Sequence, residues 1–230
     1  TKARALKVVR KHYDLGNELY MAFLDPYNQY TCGYFRDTDD LNAAQEQKLD
    51  LICRKLQLKN TDRVLDIGCG WGGFARWAAE RYGCHVTGMS ISDEQISYAR
   101  EFTKDLPVTI VKVDWRDLDG RYDKVLICGM IEHVGYKNYR ALVETVRRVL
   151  TPDGLFLLHT IGRNDSATIV ELWMERYIFP HSMLPSVTQL SQASEGLFVM
   201  EDWHGFGQYY DPTLMAWWRN FDAAWPRFKD

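Results

Sequence analysis

No apolar run in this chain approaches the ~18 residues that a membrane-spanning helix needs, and no cleavable signal peptide is visible. An integral membrane protein is therefore not expected. Charge of one sign is also scarce: 28 Lys and Arg against 31 Asp and Glu leave a net charge of -3 over 230 residues. Nothing in that balance suggests nucleic acid as a partner. The five cysteines, Cys32, Cys53, Cys69, Cys84 and Cys128, are odd in number and lack the paired spacing of a metal site. Free thiols in a reducing compartment are the simplest expectation, and no metal is expected. Repeats and low-complexity stretches are missing too. What is left is the profile of an ordinary soluble α/β enzyme with one sizeable core. Aromatics are plentiful, with 8 Trp, 13 Tyr and 10 Phe, and they crowd toward both ends of the chain.

Between residues 61 and 160 strand-like and helix-like segments alternate. Short apolar runs predict strands at Arg63–Ile67, His85–Met89, Val108–Val113, Lys124–Cys128 and Gly154–Thr160. Helices are predicted between them at Gly73–Tyr82, Ser92–Thr103 and Tyr139–Leu150, and Thr151-Pro152-Asp153-Gly154 reads as a turn into the fifth strand. Such alternation specifies a mostly parallel sheet with helices on both faces, whose ligands sit at the carboxyl ends of the strands. Residues 1–60 read as mostly helical, with Leu41–Leu56 the clearest amphipathic segment. Past residue 160, Asp165–Tyr177 and Pro212–Trp225 are predicted helices and Phe198–Trp203 a sixth strand.

The run from Val64 through Asp66, Ile67, Gly68, Cys69, Gly70, Trp71 and Gly72 ends a strand, turns on glycines and opens a helix. Glycines there allow tight turning and close approach of a nucleotide-type ligand to the backbone. A dinucleotide site expects an acid at the tip of the second strand, and His85-Val86-Thr87-Gly88-Met89-Ser90 has none. Asp66, directly before the glycines, is instead the pattern of S-adenosylmethionine (SAM) methyltransferases. Ser90 and Gln95 follow the second strand, where Gln95 is placed to reach ribose hydroxyls and Ser92 to cap the next helix. After the third strand, Asp114, Trp115 and Arg116 offer an acid for an exocyclic amine and a flat side chain for a purine. Glu132 and His133 follow the fourth strand and His159 ends the fifth, on the face where substrate belongs. A histidine satisfied within the core competes with the functional reading of His159.

Further motifs carry a family resemblance. Tyr30-Thr31-Cys32-Gly33-Tyr34-Phe35, Glu132-His133-Val134-Gly135, Leu158-His159-Thr160-Ile161-Gly162, Tyr177-Ile178-Phe179-Pro180 and Leu184-Pro185-Ser186 resemble those of cyclopropane-fatty-acyl-phospholipid synthases, as does His12-Tyr13-Asp14-Leu15-Gly16-Asn17. Glu201-Asp202-Trp203-His204 and Thr213-Leu214-Met215-Ala216-Trp217 are more similar to the phospholipid-acting branch than to the mycolic-acid branch. The resemblance spans the whole chain. It implies a Rossmann-like class I SAM-dependent methyltransferase fold with a helical N-terminal lid (1–60), a SAM-binding core (61–160) and a substrate-covering helical insertion with the sixth strand (161–230).

The implied reaction is methylene transfer from SAM to the cis double bond of an unsaturated acyl chain in a phospholipid, giving a cyclopropane. An alkene is a weak nucleophile, so it must be held against the sulfonium with water excluded. Aromatic faces stabilise such a carbocation, which offers Tyr34, Phe35, Phe179 and the Trp- and Tyr-rich tail a role beyond core packing, with plain packing in the core as the competing reading of each. By resemblance, a bound bicarbonate removes the proton, held by Cys32, Glu132, His159, Ile161 through its backbone, and Tyr210, with Glu132 accepting the proton of the ion. SAM is contacted by Tyr30, Thr31, the loop from Asp66, Ser90 to Gln95, and Trp115 with Arg116. The implied location is cytoplasmic, peripheral at the inner membrane surface, and a homodimer is left open. Lys2, Arg4, Lys7, Arg10 and Lys11 read either as a solvated helix face or as a contact with anionic headgroups. Family members acting on phospholipids carry a further N-terminal domain, and the seventh strand that normally completes a methyltransferase sheet is not visible, so a fragment is one reading of the chain. Rival readings are a mycolic-type cyclopropane synthase, a small-amine methyltransferase and a SAM-binding module without catalysis.

Overall fold

The computed structural model describes residues 16–168, 172–179 and 182–229. The basic run Lys2 to Lys11, His12-Tyr13-Asp14-Leu15 and Pro180 lie outside the described residues. In chain order the elements are α1 (Asn17–Met21), α2 (Leu41–Lys55), β1 (Arg63–Ile67), α3 (Gly73–Tyr82), β2 (His85–Ser90), α4 (Asp93–Phe102), β3 (Val108–Lys112) and β4 (Tyr122–Cys128). They continue with α5 (Tyr139–Val149), β5 (Leu150–His159), α6 (Leu172–Tyr177), α7 (Val187–Ser194) and α8 (Tyr210–Ala224).

The strands form one sheet of order β3-β2-β1-β4-β5, every pair parallel. Successive side chains of a strand point to opposite faces, and the core divides accordingly. Leu65, Ile67, Val125 and Ile127 pack against Leu142, Val143 and Val146 of α5 and Leu190 of α7. Val64 and Leu126 face the other way, onto Leu49 and Ile52 of α2 and Phe74 and Trp77 of α3. The same alternation puts Asp66 on the α2 side, and this decides its electrostatics.

Several boundaries differ from the sequence reading. Thr151 to Gly154 is not a turn ahead of β5 but an irregularity within it: Tyr122 pairs with Leu150 and Lys124 with Leu155. Gly154 is required there, because a Cβ would lie 2.8 Å from the Asp123 carbonyl oxygen. Phe198–Trp203 forms no strand. Its apolar content is used otherwise, with Phe198 against Phe156 at a ring distance of 5.4 Å and Val199 in solvent. Residues 165–168 are not helical either, whereas Leu172–Tyr177 is.

Much of 22–40 also departs from the expected helix. The Asp25 carboxylate accepts from the amides of Tyr27 (2.9 Å) and Gln29 (2.7 Å), a local bonding pattern that competes with helix. The chain from 27 to 35 instead runs irregularly beneath α8. The crowding of aromatics at both ends is explained here: Tyr20, Phe23, Tyr30 and Phe35 from the N-terminal part share one cluster with Trp71, Tyr209 and Trp217. Tyr30 and Trp217 stand 5.2 Å apart, centroid to centroid.

Candidate active site

A cavity of about 350 Å³ opens at the carboxyl ends of β1, β4 and β5. Its cofactor side is the β1–α3 turn. The amides of Gly68 and Cys69 both donate to the Met89 carbonyl (3.0 and 2.9 Å), binding the turn to β2. Gly70 has φ +55°, and a Cβ built on it meets no protein atom within 4 Å although the residue lines the cavity. At Gly73 a Cβ would lie 1.7 Å from the Tyr27 carbonyl oxygen, so the lid segment closes directly on the helix start.

Of the residues expected at SAM, Tyr30, Thr31, Asp66, Gly68, Cys69, Gly70, Trp71 and Gln95 line the cavity, together with Asn28, Gln29 and Phe74. Ile67, Gly72, Ser90, Asp114, Trp115 and Arg116 do not. Ile67 is core and Gly72 is the N-cap of α3. Ser90 acts indirectly, its hydroxyl donating to Gln95 Oε1 (3.2 Å). Both carboxylate oxygens of Asp114 are taken by Arg116 (2.8 and 2.9 Å), whose guanidinium lies 4.4 Å over the Trp115 ring. Trp71 is buried and donates to Asn17 (2.8 Å), fastening α1 to the glycine turn.

The residues expected on the substrate side, Cys32, Glu132, His159, Ile161 and Tyr210, come together in this same cavity, five residues from four distant segments. Glu132 sits on the short turn after β4, where its carbonyl accepts from Met183 (2.7 Å). Its Oε1 accepts from the Ile161 amide at 3.1 Å, so the amide expected to hold a bicarbonate is engaged by the carboxylate. Its Oε2 is buried and has no partner among the described residues. The Thr160 hydroxyl beside it donates to the Ile161 carbonyl (3.0 Å). Burial raises the Glu132 carboxyl above the usual range and raises the phenol of Tyr210. Burial and then the charge of Lys48 push the His159 imidazole down to about 4, so it is neutral near pH 7. The Cys32 thiol, raised by burial, donates to the Gly33 carbonyl (3.4 Å). Of the aromatics expected near a cation, Phe179 lines the cavity. Tyr34 packs on His204, Phe206 and Tyr209, and Phe35 lies in the cluster with Trp217.

Sequence reasoning missed Lys48. It is 0% exposed, and its Nζ donates to Gln29 Oε1 and Thr31 Oγ1, both at 2.7 Å. Burial lowers its pKa while Cys128, Asp25, Cys32 and Asp66 act to raise it. Asp66, on the same face of the sheet, is pushed up to about 8 by burial and then by Cys128, with Lys48 opposing. Cys128, also missed, lies between Thr31 (3.7 Å) and His159 Nδ1 (3.4 Å). The one signal for Lys48 was a lysine among the inward-facing positions of an amphipathic helix.

The family model "Mycolic acid cyclopropane synthetase" matches residues 1–230. The chain is 52% identical over 230 residues to the cyclopropane-fatty-acyl-phospholipid synthase of Escherichia coli K12, covering all of this chain and 60% of that protein. It therefore spans about three fifths of that relative's length. Among solved structures, the cyclopropane synthase MmaA2 of Mycobacterium tuberculosis matches with a TM-score of 0.89 at 27% identity, over 95% of this chain and 84% of that one. The mycolic acid cyclopropane synthase CmaA1, complexed with SAH and CTAB, matches with a TM-score of 0.87 at 29% identity, over 95% and 83%. The architecture is the class I methyltransferase sheet, and the chain belongs to the mycolic acid cyclopropane synthetase family.

Proposed function

We propose that this chain is the catalytic part of a SAM-dependent synthase that adds a methylene group across the cis double bond of an unsaturated phospholipid acyl chain. The observation that carries the reading is the buried Glu132 Oε2, unpartnered among the described residues, on a residue that shares its cavity with Cys32, His159, Tyr210 and the open glycine turn. An unpaired buried polar group costs about 1–3 kcal/mol, so this arrangement calls for a bound partner with a proton to donate.

The fit to SAM rests on the open space at Gly70, with Gln95, Asn28 and the 28–32 segment around it. When bound, SAM supplies the one-carbon unit as an electrophile. Tyr30, Phe179, Met183 and Leu184 surround the space with apolar groups and exclude water from it. His159 and Tyr210 would hold a bicarbonate ion by hydrogen bonds, and the second Glu132 oxygen would accept its proton; the ion would supply a base for the carbocation.

A lipid substrate is supported by the exposed apolar surface on the elements covering the cavity: Leu172, Trp173 and Tyr177 of α6, Trp203, and Leu214, Met215 and Trp218 of α8. Trp and Tyr favour membrane interfaces. No helix among the described residues is long and apolar enough to cross a membrane, and we place the protein at the cytoplasmic surface of the inner membrane. The closer identity to a phospholipid-named relative than to the two mycolic-type structures favours phospholipid. The test is lipid mass spectrometry after incubation with SAM and vesicles of unsaturated phospholipid. A gain of one CH2 per double bond is the expected result. No lipid gain, with methyl transfer to a small amine instead, would favour the amine methyltransferase.

A further inference from the structure

Lys48, Thr31, Cys128 and His159 make a continuous line of contacts from the α2 face of the sheet to the substrate side of the cavity. Its distances are 2.7 Å from Lys48 Nζ to Thr31 Oγ1, 3.7 Å from Thr31 Oγ1 to Cys128 Sγ, and 3.4 Å from Cys128 Sγ to His159 Nδ1. The last two contacts can each run in either direction when considered singly. The first cannot.

Gln29 turns its Nε2 to the Tyr27 carbonyl (3.1 Å), so its Oε1 faces Lys48 and can only accept. A lysine nitrogen donates and has no acceptor role as an ammonium. As an ammonium, Lys48 therefore donates to Thr31 Oγ1, which accepts that hydrogen bond. The hydroxyl has one proton of its own, for which Cys128 Sγ at 3.7 Å is within reach as acceptor. If Cys128 instead donated to Thr31, the hydroxyl proton would lose the sulfur as its acceptor and be left to the cavity that Thr31 lines, giving up a hydrogen bond. With Cys128 accepting from Thr31, the thiol proton is free to go to His159 Nδ1. Burial keeps the thiols protonated, since Cys128 is raised above the ordinary thiol range, so that proton is present at neutral pH.

We propose that Lys48, Thr31 and Cys128 form a hydrogen-bond chain of fixed direction that holds His159 in its Nε2–H tautomer, so that the ring offers the cavity a donor and not an acceptor. In a neutral imidazole the hydrogen bond made by one nitrogen sets the state of the other. Nδ1 accepts from Cys128, and Nε2 carries the proton. The stacking of Phe206 on the ring, centroids 5.5 Å apart at 28°, restrains the flip that would exchange the two nitrogens. Lys48, Thr31 and Cys128 are thus positioning residues that act through His159. A donor suits an anion or carboxylate oxygen, whereas an Nδ1–H tautomer would turn a lone pair toward it.

The functional consequence rests on the reading that His159 faces a bound anion, but the tautomer is measured on the protein alone, without SAM, bicarbonate or lipid. The experiment is nitrogen NMR of the full chain labelled with ¹⁵N-histidine, with His159 assigned by its loss in His159→Gln. The wild type should show a protonated Nε2 and an unprotonated Nδ1 at pH 7. Cys128→Ala should give a mixture of tautomers, and Cys128→Ser, whose hydroxyl keeps the donor, should restore Nε2–H. Lys48→Met should also give a mixture, because Thr31 is then free to accept from Cys128; where that variant does not fold, the Cys128 pair decides. A protonated Nδ1 or a mixture in the wild type overturns the proposal. So does an unchanged Nε2–H signal in Cys128→Ala or in folded Lys48→Met. Failure of lipid methylenation with the tautomer as stated would instead count against the proposed function.

Discussion

Glu132 and Ile161 are joined by one hydrogen bond, from the Ile161 amide to Glu132 Oε1 at 3.1 Å, at the wall of the cavity that both residues line. The turn after β4 and the loop after β5 are thereby locked to each other, and Oε2 has no partner among the described residues. Glu132→Gln should keep the bond through its amide oxygen but present an NH2 where an acceptor is needed. SAM affinity, measured by calorimetry, should stay near wild type while turnover falls by about 10²–10⁴, the usual worth of a positioned acid–base group. Wild-type turnover in this variant would remove Glu132 from the proton path.

Gly70→Val tests the cofactor side. The residue lines the cavity at φ +55° with open space where its Cβ would be. The side chain therefore meets no protein, and the left-handed backbone costs only about 1–2 kcal/mol. A folded protein that no longer binds SAM is expected. Unchanged SAM affinity in a folded variant would relocate the cofactor.

The sheet was legible because its strands are apolar runs buried on both faces and its helices have a clear period: β1 and α3 fall where the pattern puts them. The substrate side was legible from family motifs, since nothing local in Cys32 or Tyr210 announces that they share a cavity 178 residues apart. What could not be read depends on partners far along the chain. Lys48 looks like a solvated lysine until the irregular 29–31 segment folds over it. Asp114 looks available until Arg116, two residues on, takes both its oxygens. Phe198–Trp203 is apolar enough for a strand, but among the described residues no neighbouring strand pairs with it.

His159 should make stability depend on pH in the acid range. Its folded value is about 4 against about 6.5 unfolded, so the unfolded chain takes up the proton first. The contribution is fully present above pH 6.5, declines as pH falls, and is gone below about 4. Its ceiling is about 3 kcal/mol. Urea unfolding of the wild type should lose up to that much more than His159→Gln between pH 6.5 and 4. Parallel pH curves for the two proteins would mean that His159 is readily protonated in the folded state.

Thr213 links the two ends of the chain through its hydroxyl, which accepts from the Gly33 amide (3.0 Å) and donates to the Tyr209 carbonyl (2.7 Å) at a fully buried site. Thr213→Val preserves the shape and deletes both bonds, leaving the Gly33 N–H without an acceptor next to Cys32. The cost should be about 1–3 kcal/mol, and Thr213→Ser should recover most of it. Hydrogen exchange should show the Gly33 amide less protected in the valine variant, while the β1 amides stay as protected as before. Because the loss is confined to the segment carrying Cys32, turnover should fall further than SAM affinity. Equal stability and unchanged protection of Gly33 would show that the 27–35 segment is held by its aromatic packing and owes nothing to this clasp.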